Sequence, residues 1–129
     1  MKGEQKFFHC KHCGNLVGLI FNAGVQMICC GEPMEELVAN TAEAAHEKHL
    51  PVYVREGNEI KVSVGSAPHP MTEEHHIEWV YIQTTRGGQR KSLNIGEKPE
   101  MSFCVTDGDE PIAVFAYCNL HGLWKTDIQ

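Results

Sequence analysis

Positive charge is scarce in this chain: 11 Lys+Arg stand against 17 Asp+Glu in 129 residues, a formal net charge of −6 with histidine neutral. A phosphate-tracking surface or a polybasic membrane patch needs the opposite balance, so neither nucleic acid nor a membrane is an expected partner. Long apolar runs are missing too. The most obvious one, Ile112 to Tyr117, falls far short of the ~18 apolar residues of a membrane span. The stretch before Cys10 lacks the apolar core and small-residue cleavage site of a secretory signal, and a reducing cytoplasm is the expected compartment. Charged residues are only 22% of the chain against 42% apolar, which excludes a disordered polymer and allows a buried core. Against these absences stand 6 cysteines and 8 histidines. In a reducing compartment such cysteines read as metal ligands before disulfides.

The cysteines are distributed unevenly. Cys10, Cys13, Cys29 and Cys30 form one group, and Cys104 and Cys118 come much later. This divides the chain into a small module, residues 1–37, and a larger one, residues 38–129. A module under about 40 residues rarely stands on apolar burial alone, so its cysteines are the expected staple. In the larger module, Thr41 is an expected N-cap for a short helical turn that must end near His49, because Pro51 holds Leu50 extended. Alternation then predicts a hairpin: Val52 and Val54 on one arm, Ile60, Val62 and Val64 on the other, with Gly57-Asn58 at the turn. Ile77, Trp79 and Tyr81 predict a further strand, broken by Arg86-Gly87-Gly88. Phe103/Val105 and Ala113/Phe115/Tyr117 lie on either side of the turn Asp107-Gly108-Asp109-Glu110. Short strands at these intervals predict an all-β protein whose larger part is a β-sandwich, with Cys104, Trp79, Trp124, Phe103 and Phe115 in its core.

Cys10-Lys11-His12-Cys13-Gly14 is a C-x-x-C-G knuckle that turns two thiolates toward one cation, and Cys29-Cys30-Gly31 adds a second pair. Four sulfurs make a closed tetrahedral site without room for a substrate, and ligand type alone does not separate iron from zinc. Adjacent cysteines point in different directions, so the Cys29-Cys30 pair is expected to distort the tetrahedron. His9 and His12 are expected to be solvated.

A second, discontinuous set comprises His49 before Leu50-Pro51, His69 before Pro70, His75 at the head of a strand, and Cys118 with His121 in Cys118-Asn119-Leu120-His121. Four imidazoles and one thiolate would leave an octahedral ion one open position for a small oxygen ligand. Spacing does not require them to converge, and each histidine has the plain alternative of a hydrogen-bonded or surface residue.

Taken together, the strings resemble the desulfoferrodoxin family, the two-iron superoxide reductases. The resemblance runs through Cys10–Asn15, Cys29–Met34, Glu47–Val52, His69–Met71, His75–Trp79 and Tyr117–Lys125, in the family's order. It implies a rubredoxin-like, desulforedoxin-type N-terminal iron domain followed by an immunoglobulin-like sandwich. It further implies that Cys10, Cys13, Cys29 and Cys30 bind the first iron. His49, His69, His75 and His121 would be equatorial ligands of the second, with Cys118 axial. Glu47 would ligate the oxidised iron, and Lys48 would attract the anionic substrate and help its protonation. The implied activity is one-electron reduction of superoxide to hydrogen peroxide, with an external donor such as rubredoxin restoring the ferrous state and a homodimer as the assembly. The chain departs from common members at Glu74, His76 and Leu123, none of them an implied ligand. The competing readings are a rubredoxin-like electron carrier that uses only the four-cysteine iron, and a zinc-stapled structural module.

Overall fold

The computed structural model describes residues 3–129; Met1 and Lys2, the first two residues of the expected 1–37 module, lie outside the described residues. The chain forms two compact units, dividing between Val38 and Ala39.

In the first unit, β1 (Lys6–His9) pairs antiparallel with β2 (Leu16–Leu19), while β3 (Ile28–Cys29) and β4 (Glu32–Pro33) make a separate two-stranded ribbon. The strand β5 (Glu35–Glu36) returns to the other edge of β1, giving the order β2-β1-β5. Two turns punctuate this unit, at Cys10–Gly14 between β1 and β2 and at Cys30–Gly31 between β3 and β4. Both carry cysteines. Only Phe7 and Cys10 are buried among the described residues of this unit, so apolar packing contributes little to it.

The second unit opens with α1 (His46–His49), a single turn. Its N-cap is Ala45 and no side chain caps it, which corrects the assignment to Thr41; residues 42–44 are bent rather than helical, and the helix stops where Pro51 requires. Next come β6 (Pro51–Glu56) and β7 (Glu59–Val64), the expected hairpin. Then follow β8 (Ile77–Thr84), β9 (Gly87–Ser92), β10 (Glu100–Cys104), β11 (Pro111–Cys118) and β12 (Gly122–Asp127). Two antiparallel sheets result, with orders β10-β7-β6 and β12-β11-β8-β9.

Their inner faces share one core. Ile60, Val62, Val64 and Phe103 come from the first sheet, and Ile77, Val80, Ile82, Val114, Ala116 and Cys118 from the second. The all-β sandwich is therefore as expected, and Trp79, Trp124, Phe103 and Phe115 are all buried. Cys104 is a correction. It lies exposed, because alternation along β10 turns Phe103 into the core and its neighbour outward. Strand β9 also escaped the pattern: GGQRKS has no apolar alternation, and its strand form is imposed by the ladder to β8.

Candidate metal centres

In the N-terminal unit the knuckle is closed by backbone bonds from Gly14 N–H to Cys10 C=O (3.0 Å) and from Cys10 N–H to Asn15 C=O (2.9 Å). Gly14 takes φ +83°, a left-handed value that suits glycine. On the opposing ribbon Cys30 itself is left-handed, at φ 51°. That conformation costs a side-chain-bearing residue on the order of 1–2 kcal/mol. It also answers the expected conflict of adjacent cysteines, since the reversal at Cys30 brings its sulfur to the same point as that of Cys29. All four Sγ atoms lie within 4.8 Å of one another, with Cys13 and Cys29 at 3.6 Å. Sulfurs 2.3 Å from a tetrahedral ion stand about 3.8 Å apart, so this donor set fits one closed metal ion.

Without an ion the four thiols share charge unequally. Cys10 is pushed down to about 6, chiefly by the backbone N–H of Cys13, whereas Cys30 is pushed up to about 12, chiefly by its bond to Cys13. Outer contacts add polarity: Asn15 N–H points at Cys13 Sγ (3.4 Å) and its side-chain amide at Cys29 Sγ (3.8 Å). His12 is exposed as expected, and His9 is half-buried. Each meets a carboxylate, Glu35 at 3.3 Å and Glu32 at 3.1 Å.

In the sandwich unit, segments far apart in sequence bring four imidazoles and a thiol together. His49 ends α1, His69 follows β7, His75 precedes β8, Cys118 ends β11 and His121 precedes β12. Neighbouring ring centroids around the set are 4.5 Å (His49–His69), 4.5 Å (His69–His75), 5.1 Å (His75–His121) and 5.0 Å (His121–His49). The diagonal His49–His75 distance is 6.1 Å. The four rings thus close on one another around a common point. Cys118, fully buried, places Sγ 3.4 Å from His69 Nε2 and 3.9 Å from His121 Nδ1.

The chemistry of these contacts decides what they are for. His49 Nδ1–H donates to Ala45 C=O at 2.8 Å and His69 Nδ1–H to Pro70 C=O at 2.7 Å, because a carbonyl can only accept. Each neutral ring then presents a bare lone pair on Nε2, and these two Nε2 atoms face each other at 3.0 Å. Protonating one would relieve the clash, but burial opposes it: His69 is pushed down to about 4 and His49 is also lowered, both chiefly by desolvation. His121 Nδ1 lies 3.2 Å from His49 Nε2, and the buried Nε2 of His75 has no hydrogen-bond partner among the described residues. Burial raises the Cys118 thiol, while the N–H groups of Leu120 and His121 pull it the other way. Converging lone pairs, an orphaned nitrogen and a thiol are the donor set of a cation. Nitrogens about 2.1 Å from an ion at right angles stand about 3.0 Å apart, as His49 and His69 do.

His76, adjacent to His75, points elsewhere, to Thr72 C=O at 2.9 Å and Glu78 at 3.7 Å. His46 is exposed, its ring edge on Trp124. Glu47 and Lys48 are exposed on α1, and Lys48 acts electrostatically on both His49 and His75. Their helix is held down from below. Ala67 N–H donates to Glu47 C=O at 2.8 Å, and a Cβ at Gly65 would stand 2.5 Å from that oxygen and 2.9 Å from Leu50 C=O. Only glycine lets the chain leaving β7 run this close under the segment. Trp124 has a part that core membership did not announce: its ring stacks on His49 at 4.9 Å, and its indole N–H donates to His121 C=O at 3.1 Å.

Comparison with known proteins now places the chain. A family model described as desulfoferrodoxin matches residues 41–127, and one described as the desulfoferrodoxin N-terminal domain matches residues 3–37. The chain belongs to the desulfoferrodoxin family. It is 43% identical over 129 residues to the desulfoferrodoxin of Clostridium acetobutylicum, covering 99% of this chain and 100% of that one. A superoxide reductase of Pyrococcus horikoshii is 37% identical over 101 residues, 64% of this chain and 87% of its own. The crystal structure of the superoxide reductase from Treponema pallidum superposes with a TM-score of 0.81 at 40% identity, covering 96% of this chain and 99% of that one. Both desulfoferrodoxin centres thus have a physical counterpart here, one closed and sulfur-rich, the other nitrogen-rich.

Proposed function

We propose that this desulfoferrodoxin is a superoxide reductase with two mononuclear iron ions. Cys10, Cys13, Cys29 and Cys30 would hold one ion, and His49, His69, His75, His121 and Cys118 the other. The observation that carries the reading is the 3.0 Å approach of two Nε2 lone pairs beside the partnerless Nε2 of His75, over a buried thiol. Ferrous iron bound there supplies the single electron that, with two protons, converts superoxide to hydrogen peroxide, and the thiolate ligand raises its electron density. The chain's residues do the rest. The carbonyls of Ala45 and Pro70 fix the tautomers of His49 and His69 so that Nε2 faces inward. Four imidazoles and one sulfur would hold the ion and leave it room for one further ligand, a small anion.

Reaching that position requires a local cation in a protein of net charge −6. Lys48, exposed next to His49 and acting electrostatically on His49 and His75, would be that cation, and its ammonium would supply a proton. Glu47, exposed on the same helix, would be the hard carboxylate available to the oxidised ion. Re-reduction draws on an external one-electron donor of the rubredoxin kind, in the cytoplasm. A homodimer is supported by the large apolar side chains left open on the N-terminal unit, Ile20 (97% exposed), Phe21 (80%) and Val25 (80%).

The test is stoichiometric. Reduced, iron-loaded protein given a limiting amount of superoxide under anaerobic conditions is expected to yield one hydrogen peroxide per superoxide without dioxygen. Half that yield with dioxygen evolved would mean a dismutase, and no accelerated loss of superoxide would leave only the electron carrier. Substituting Lys48→Met is expected to slow the second-order reaction roughly two- to tenfold at low salt and to flatten its decline with ionic strength. Stopped-flow traces across a salt series check this, and an unchanged rate and slope would remove Lys48 from the approach path.

A further inference from the structure

The four imidazoles are not secured alike. His49 and His69 are each fixed by a ring bond from Nδ1 to a carbonyl, and His121 turns Nδ1 itself toward the cluster. His75 shows no such ring anchor; its Nε2 is buried and unpartnered. Its aim is therefore set by its backbone. The sheet ladder cannot set it. Between β8 and β11 the register slips between Tyr117, opposite Trp79, and Cys118, opposite Ile77, so the regular pairing fails where the cluster begins.

Two side chains fasten the backbone beyond that slip. Thr72 closes the turn locally: its N–H (3.0 Å) and hydroxyl (3.1 Å) donate to His75 C=O, and His75 N–H donates back to the hydroxyl oxygen (3.2 Å). Asn119 spans from the other strand. Its side-chain amide donates to Glu74 C=O at 3.0 Å, its Oδ1 accepts from His76 N–H at 2.9 Å, and its backbone N–H donates to His76 C=O at 3.2 Å. These bonds bracket His75 on both sides, and Asn119 directly follows Cys118 in the chain.

We infer that Asn119 is the positioning residue for His75, replacing the broken ladder and setting the spacing between the His75 ring and the Cys118 sulfur. The inference rests on the metal-centre reading given above. It predicts a specific weakness: loosening Asn119 frees one ligand of five and leaves the other four in place.

The experiment uses the full chain loaded with ferrous iron, and follows loss of iron from the nitrogen-rich centre to a chelator together with the ferric visible and EPR spectra. Asn119→Ala is expected to release that iron about 10–100-fold faster, the usual effect of losing an outer-shell partner, with a shifted ferric spectrum. Asn119→Asp keeps the acceptor for His76 N–H and loses the donor to Glu74, so it is expected to fall between. Asn58→Ala, which removes a comparable exposed bond to Asp107, is expected to leave both readouts unchanged. A double-mutant cycle isolates the route: in a His75→Ala background, Asn119→Ala is expected to accelerate release no further. Unchanged release and spectra in Asn119→Ala and Asn119→Asp, or full additivity with His75→Ala, would overturn the inference. Failure of the unsubstituted chain to hold a second iron would instead overturn the reading beneath it. Should Asn119→Ala not fold, Asn119→Asp and its cycle with His75→Ala decide alone.

Discussion

Replacing His49 by alanine in the iron-loaded protein is expected to reduce the rate of reaction with superoxide by at least about a hundredfold, while the absorption of the four-cysteine centre stays unchanged. The size follows from position. Loss of an outer-shell partner alone typically costs 10–100-fold, and His49 is the corner that meets both His69 (3.0 Å) and His121 (3.2 Å). The residue is 3% exposed, its ring stacked on Trp124 and tied to Ala45, so its Nε2 is held in one orientation that a water filling the space would lack. Cys118→Ser is expected to have an effect of the same order by a different route. A buried serine keeps the small volume and offers a poor ligand, so the electron-rich sulfur is lost without a large cavity. Iron analysis with pulse-radiolysis kinetics checks both variants, with the iron of the nitrogen-rich centre expected to be held less tightly. Fast turnover retained in both would sink the assignment of the reacting centre.

The two centres were legible in the sequence to different degrees, for a physical reason. A C-x-x-C-G turn is a local object, and its glycine states the backbone conformation the turn requires. The nitrogen-rich centre is instead assembled by topology. His49, His69, His75 and His121 meet because the starts of β6, β8 and β12 and the ends of β7 and β11 come together, and no spacing rule encodes that. The adjacent pair His75 and His76 makes the point. Both stand in one turn, and the side that faces the cluster is set by Thr72 and Asn119, the latter 43 residues from the His76 N–H it holds. Only the order of the six strings, read as a resemblance, could prefer His75.

The same distinction explains the misses. Strand β9 is polar throughout and exists because β8 offers it a ladder, a cause that lies in another segment. Thr41 is a good cap by type, but a cap needs a helix beside it, and α1 begins five residues later. The apolar neighbours of Cys104 suggest a core position, but period-2 alternation sends a residue between two core positions outward. Trp124 is correctly a core residue; that its core neighbour is a histidine of the cluster follows only from the fold.

Removing the metal from the four-cysteine centre is expected to unfold the N-terminal unit and spare the sandwich. Phe7 and Cys10 are the only buried residues described in that unit, whereas the sandwich buries a core from both of its sheets. Burying one Phe is worth about 1.5–3 kcal/mol, too little to order some three dozen residues, while a structural ion in a small domain contributes on the order of 10 kcal/mol. A Cys13→Ser/Cys30→Ser variant of the full chain leaves two sulfurs and should not retain the ion. Hydrogen exchange is expected to show the β1–β2 ladder, Phe7 to Gly18 among its pairs, losing protection almost completely. The amides of β8 and β11 should keep theirs. The thermal transition of the sandwich is expected to move by less than about 4 °C, the shift that 1 kcal/mol gives a domain of this size. Protection persisting in β1 and β2 without the ion would show that this unit stands on contacts other than its metal. Collapse of both units together would show that the sandwich depends on its neighbour being folded.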